Sequence, residues 1–142
     1  MAWDENHSAI QDQLYVLANQ HRGIVKSFGK VDYIVLDSPI ILSLVYRSVY
    51  QGTSYPATLY NSEHFDKLVL DIHNQYDSIN ILLERSDDGV HNDKERYQSL
   101  EESKKLDREI ENTLIKHNIP YHKVKVGKNT VKNIIKLLDI QK

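Results

Sequence analysis

Residues 31–46 constrain the fold most, because they have the pattern of a strand, a polar turn and a helix. Residues 33–36 (Tyr-Ile-Val-Leu) form a short apolar run rich in strand-favouring side chains. Asp37 ends the run, Ser38 is a good N-cap residue, and Pro39 suits the first position of a helix. A carboxylate after a parallel strand lies where open α/β sheets bind ligands. The pattern leaves two interpretations of Asp37 open, a site residue or a helix cap.

Apolar periodicity extends the alternation of helices and strands along the rest of the chain. Ile40, Leu44 and Val45 recur at helical spacing after Pro39. Further helices are predicted over residues 8–28, with Ser8 as cap and Gly29 after the last turn, and over residues 61–75, 94–117 and 130–138. Further strands are predicted over residues 79–84, covered on both faces, and 121–126. Residues 47–60 contain three tyrosines and are predicted to be a loop packed by its own aromatic rings. We therefore expect one α/β domain over residues 1–142, with three layers: a small parallel sheet of about three strands and flanking helices.

Composition narrows the functional classes. The chain has no cysteine, which excludes disulfides, thiol catalysis and cysteine-based zinc sites. Its net charge of −2 gives no bulk electrostatic case for nucleic acid or an anionic membrane as partner. No apolar run is long enough to span a bilayer, and residues 1–6 have no signal-peptide pattern. We expect a cytoplasmic protein.

The common phosphate and metal motifs are absent from these 142 residues. No Gly-x-x-x-x-Gly-Lys-Ser/Thr occurs, and the nearest sequence, residues 126–130, is predicted to be a turn before a helix. Seven histidines are present, but none has a ligand-type spacing, so we expect no metal site. Arg85 and Arg96 bracket a polar loop. Two guanidiniums there suit a phosphate, but pairing with neighbouring acids is the favoured interpretation.

Several short motifs, in this order, carry a family resemblance over nearly the whole chain. They are Gln13-Leu14-Tyr15, Gln20-His21-Arg22, Gly29-Lys30-Val31-Asp32-Tyr33, Asp37-Ser38-Pro39, Asn80-Ile81-Leu82-Leu83-Glu84-Arg85 and Arg96-Tyr97-Gln98. Together they resemble a phage-encoded group of P-loop ATPases, AAA-like proteins related to nicotinamide riboside kinase and nucleotide kinases. The resemblance implies that Asp37 acts at the metal–phosphate or acceptor site. It implies that Arg85 and Arg96 neutralise the transferred phosphate, and that the loop at Gly127 and Lys128 lies beside the adenine.

One departure from that family shapes the functional expectation. Its members carry a first strand and a Walker A loop ahead of the matched residues, whereas this sequence starts after them, giving a truncated P-loop-kinase-like fold. Without that first strand, three arrangements are open. The two strands on either side of the gap pair directly with each other, or a second copy completes the exposed sheet edges as a homodimer. In the third, the sequence is part of a longer enzyme.

The leading interpretation is a non-catalytic phage protein. It binds a protein target, such as a host enzyme or defence system, or a nucleotide-like ligand, in the cytoplasm of an infected bacterium. The alternative is a fragment or mis-started form of an ATP-dependent nucleotide or nucleoside kinase or ATPase, which would use ATP and Mg²⁺.

Overall fold

The computed structural model describes residues 12–49, 63–85 and 100–138, and in them the chain is an α/β protein. The elements are α1 (Gln13–Ser27), α2 (Leu42–Val49), α3 (Glu63–His73), β1 (Asn80–Glu84), α4 (Leu100–Lys116), β2 (Tyr121–Lys125) and α5 (Thr130–Leu137). The chain divides into two compact units, Met1–Ser78 and Ile79–Lys142. The predicted fold class, α/β with a small parallel sheet, is confirmed.

The sheet of the second unit consists of β1 and β2, which pair in parallel. The register places Asn80 opposite Tyr121 and Glu84 opposite Lys125. Parallel neighbours need a long crossover connection, and α4 lies within the one between β1 and β2. The Val126 N–H donates to the Glu84 carbonyl oxygen at 2.9 Å, so the pairing continues one residue beyond β2. The strands predicted over 79–84 and 121–126 are thus confirmed.

Residues 33–36 are not a strand, and this corrects the prediction of about three strands. The described sheet has two. The side chains of residues 31–36 are all exposed, Tyr33 to 66% and Val35 to 92%. A strand exists only where a neighbour bonds its backbone N–H and C=O groups, and residues 31–36 make no such bond with the described residues. Apolar composition predicted a strand, but composition cannot show whether a bonding neighbour is present.

The predicted burial of β1, the strand expected over residues 79–84, is also wrong. We expected β1 to be covered on both faces, but its residues are half-buried or exposed, and Leu83 is 49% exposed. In β2 only Val124 is buried. The sequence of β2, Tyr-His-Lys-Val-Lys, explains this, because four of its five side chains carry polar groups that stay near water or need polar partners.

The helix expected at Pro39 begins three residues later. Two tight turns come first, in which the Leu42 N–H donates to the Pro39 carbonyl at 2.9 Å and the Ser43 N–H to the Ile40 carbonyl at 3.0 Å. The predicted apolar positions Ile40, Leu44 and Val45 are all buried, as expected from their helical spacing. The helix α2 continues to Val49, past the predicted start of the tyrosine loop at residue 47. The rest of that loop, residues 50–60, lies outside the described residues.

The first helix has well-defined ends. The Asp12 side chain caps α1 by accepting a hydrogen bond from the Tyr15 N–H at 3.0 Å. The predicted cap, Ser8, lies outside the described residues. At the other end Gly29 has φ +73°, the left-handed conformation that suits glycine after a helix. Its predicted role as the residue after the helix is confirmed.

The core of the first unit is apolar, with one ion pair at its margin. Buried side chains of α1, α2 and α3 supply it: Leu17, Ile24, Leu44, Val45, Phe65 and Val69. Arg47 of α2 donates to Asp66 of α3 at 2.7 Å, and both side chains are mostly buried. Since a partly desolvated ion pair is costly to break, this contact fixes α2 against α3. No helix among the described residues is long and apolar enough to cross a membrane.

Leu17→Ala tests this core, and Leu14→Ala is its control in the same helix. Leu17 is 2% exposed and Leu14 is 52% exposed. We expect Leu17→Ala to lower the free energy of unfolding by about 2–5 kcal/mol through lost burial and a cavity. Leu14→Ala should change it by less than about 0.5 kcal/mol. Urea titration followed by circular dichroism measures both. Equal effects of the two substitutions would contradict the placement of α1.

Candidate functional site

Asp37, the predicted catalytic carboxylate, lies on the surface of the first unit. It follows the exposed residues 31–36 and precedes the turns that lead into α2. Its carboxylate makes no hydrogen bond or ion pair with any described residue, so it does not cap α2. The neighbouring Ser38 is held through its carbonyl oxygen, which accepts from Gln20 Nε2 of α1 at 2.9 Å. Asp37 is therefore available to a cation or an acceptor group, and its catalytic role stays a prediction.

Arg85 is already paired within the second unit. Its Nε donates to Asp107 Oδ2 at 2.5 Å and its Nη2 donates to Asp107 Oδ1 at 3.2 Å. Such a two-point contact matches the planar guanidinium to a carboxylate, and this hydrogen bonding raises the pKa of Arg85. The sequence favoured an acidic partner close in the chain, but Asp107 is 22 residues away, on α4. Arg96, the other predicted phosphate ligand, lies outside the described residues.

The turn at Gly127 and Lys128 is closed by the side chain of Thr130. The Gly127 N–H donates to Thr130 Oγ1 at 2.7 Å, and the Thr130 hydroxyl donates to the Gly127 carbonyl at 2.7 Å. A Cβ at Gly127 would meet nothing within 4 Å, so no close approach requires glycine here. The predicted turn before α5 is confirmed. The nucleotide-binding role of Gly127 and Lys128 stays a prediction.

Arg85 and Gly127 nevertheless share one end of the sheet. Arg85 follows β1 directly, and Gly127 follows Val126, whose N–H bonds Glu84 at the end of β1. This is the carboxyl end of two parallel strands, where open α/β sheets bind ligands. The structure thus brings together Arg85, Gly127 and Lys128, whereas Asp37 belongs to the other unit.

A polar cluster that the sequence did not reveal joins α4 to the sheet. Lys123 Nζ lies 2.6 Å from Glu111 Oε1 and 3.8 Å from Glu84 Oε1. The Tyr121 hydroxyl donates to the same Glu111 oxygen at 2.7 Å. The hydrogen bond from Lys123, and to a smaller extent the one from Tyr121, lowers the pKa of Glu111. The same hydrogen bonds to Glu111 raise the pKa of Lys123 and of Tyr121. These contacts are structural, because every group in the cluster already has a protein partner.

Two spacings in the sequence are the signal that could have indicated this cluster. Asp107 and Glu111 are four residues apart and so share one face of α4. Tyr121 and Lys123 are two apart and so share one face of β2. The pairing of those two faces is tertiary and cannot be read from either spacing alone. Among the described residues, no group of three His, Asp or Glu side chains is placed to hold a metal ion.

Glu111→Gln tests the cluster through the pH dependence of stability. A glutamate with a lowered pKa stabilises the fold above its unfolded-state pKa, and this stabilisation is lost as the pH falls through the folded-state pKa. We expect the wild type to lose more unfolding free energy than Glu111→Gln on acidification below about pH 4.3, the ordinary glutamate value. Glu101→Gln, at an exposed position of α4, should follow the wild type. Urea titrations at several pH values measure this loss. An equal loss of unfolding free energy below about pH 4.3 in the wild type and Glu111→Gln would exclude the cluster.

Comparison with known proteins supplies the family. A family model described as an AAA domain matches residues 1–132. No curated protein and no solved structure matches the chain. The matched segment covers most of the 142 residues and includes both compact units apart from the last residues. This chain belongs to the AAA domain family.

Proposed function

We propose that this chain uses a P-loop-kinase-like scaffold for binding and that these 142 residues transfer no phosphoryl group by themselves. Phosphoryl transfer depends on positioned donors around the phosphates. The sequence has no Gly-x-x-x-x-Gly-Lys-Ser/Thr loop to provide them. Of the groups at the sheet end, Arg85 is held by Asp107 and the Gly127 N–H by Thr130. Two of the donors expected near the nucleotide, the Arg85 guanidinium and the Gly127 N–H, are therefore engaged in the fold.

The observation that carries this proposal is the exposure of residues 31–36. Their backbone groups are unbonded to the described residues, and their apolar side chains, Tyr33 and Val35 above all, face solvent. A segment with unbonded backbone groups and exposed apolar side chains can accept a strand from a partner, with backbone hydrogen bonds for affinity and apolar contacts for specificity. We propose a protein target with an exposed apolar strand. For a phage-encoded protein, a host enzyme or a defence protein fits that description.

A second candidate function is ATP-dependent phosphoryl transfer, as a nucleotide or nucleoside kinase or an ATPase. The observation that favours it is the gathering of Arg85, Gly127 and Lys128 at the carboxyl end of β1 and β2. In this candidate a strand carrying a phosphate loop pairs with residues 31–36. Asp37 then holds Mg²⁺ or the acceptor, and Arg85 exchanges Asp107 for a phosphate. ATP and Mg²⁺ would be its cofactors.

Calorimetric titration of the purified chain with ATP and Mg²⁺ separates the two functions. We expect no saturable, magnesium-dependent binding tighter than about 1 mM, the range of about −4 kcal/mol. Asp37→Asn should behave like the wild type, because Asp37 contacts no described residue. Micromolar binding that requires Mg²⁺ and is lost in Asp37→Asn would overturn the binding-only function in favour of the kinase or ATPase.

Val35→Lys tests the exposed residues 31–36 as a strand-accepting surface, with a second copy of the chain as the probe. We expect wild-type protein to dimerise as its concentration rises, because paired edges would cover the apolar run. Val35→Lys should weaken this dimer at least tenfold, since a lysine there would have to be desolvated. Val25→Lys, at an exposed position of α1 in the same unit, should have no effect. Light scattering during gel filtration measures all three. A monomer at every concentration would exclude the homodimer.

A further inference from the structure

The small net charge of the chain conceals a strongly basic segment. Residues 119–138 contain five lysines and no aspartate or glutamate; the lysines are Lys123, Lys125, Lys128, Lys132 and Lys136. This segment carries +5 with histidine neutral, and the other 122 residues carry −7. It comprises β2, the following turn and α5, all of which the structure describes. The whole-chain charge therefore says little about what this surface attracts.

Three of these lysines form one row. Lys128, Lys132 and Lys136 are four residues apart, so they follow one face of α5 and of the turn before it. All three are exposed, and so are the neighbouring Asn129 and Asn133. Four residues of helix rise about 6 Å, which sets the spacing of successive charges along α5. The row thus presents three exposed positive charges with amide groups beside them.

No carboxylate within the described residues neutralises this row. Lys123 differs, because it is held by Glu111 and lies near Glu84. The lysines of α4 differ as well, because that helix also carries Glu101, Glu102, Asp107, Glu109 and Glu111. The helix α5 has no acidic residue. Its positive field is consequently available to an external polyanion.

We propose that the row Lys128, Lys132 and Lys136 binds the phosphodiester backbone of a nucleic acid. A line of exposed, unneutralised positive charges suits a polymer with repeating negative charges, and asparagine amides can donate to its phosphate oxygens. A membrane surface is disfavoured, because α5 has only eight residues and Val131 is its one exposed large apolar side chain among those described. The contacts are to the backbone, so binding is independent of base sequence.

The test measures fluorescence anisotropy of labelled single-stranded and duplex oligonucleotides with the full chain, over salt concentrations from about 50 to 200 mM. The variant combines Lys128→Gln, Lys132→Gln and Lys136→Gln. The matched control, with the same charge change, combines Lys67→Gln, Lys104→Gln and Lys105→Gln at exposed positions of α3 and α4. Circular dichroism melting checks that both variants fold.

We expect the row variant to lose at least about tenfold in affinity at low salt. The logarithm of the association constant falls linearly with the logarithm of the salt concentration. For single strands the magnitude of this slope should decrease by about 2 in the row variant, since each phosphate contact contributes about 0.7. The control should keep the wild-type slope. Comparing the affinities for the single-stranded and the duplex oligonucleotide shows which of the two the row prefers. Equal losses in both variants, no binding by the wild type, or lysine-dependent binding to phosphatidylserine vesicles without oligonucleotide binding would each overturn the proposal.

Discussion

An extended segment becomes a strand only where a neighbour bonds its backbone N–H and C=O groups, and this requirement decides which parts of the chain become a sheet. β1 and β2 satisfy it with each other, and α4 spans the connection between them. Residues 31–36 are as apolar as β1 but have no bonded neighbour in the described chain. The same constraint thus yields the paired strands of the second unit and the exposed apolar run of the first.

Charged groups at the sheet are used mainly for folding. Arg85 and Lys123 hold two carboxylates of α4, Asp107 and Glu111, which stand one helical turn apart. These polar contacts help to attach the crossover helix, beside its buried Leu114. A ligand that needs Arg85 must therefore compete with Asp107. That competition is the physical reason for proposing binding without phosphoryl transfer for an AAA-family chain that lacks a phosphate loop within these residues.

Local signals in the sequence predicted local structure well. The helical spacing of Ile40, Leu44 and Val45, the glycine after α1 and the turn at Gly127 were all predictable, because a few neighbouring residues determine them. The prediction of a strand at residues 33–36 was wrong because strand formation depends on a partner elsewhere in the chain. The exposure of Leu14 beside buried Leu17 likewise depends on which side of α1 the other helices cover.

In the candidate site, too, local sequence signals were predictable and tertiary contacts were not. Arg85 and Gly127 could be placed at one end of the sheet from the order of strands and helices, and the structure shows them there. The partner of Arg85 could not be predicted, because Asp107 approaches only through the packing of α4. The basic row was visible in the sequence, but averaging charge over 142 residues obscured it. The structure adds that its lysines are exposed on α5 and on the turn before it.

Amide hydrogen exchange of the purified chain tests the central claim that residues 31–36 are unpaired while β1 and β2 are paired. We expect the amides of residues 33–36 to exchange near the rate of an unstructured peptide. The amides of Leu82 and Val124, whose N–H groups face the partner strand in this register, should be protected to the extent of the unfolding free energy of their unit. Protection of residues 33–36 equal to that of β2, in protein shown to be monomeric, would mean that they form a strand within the chain and would contradict the account.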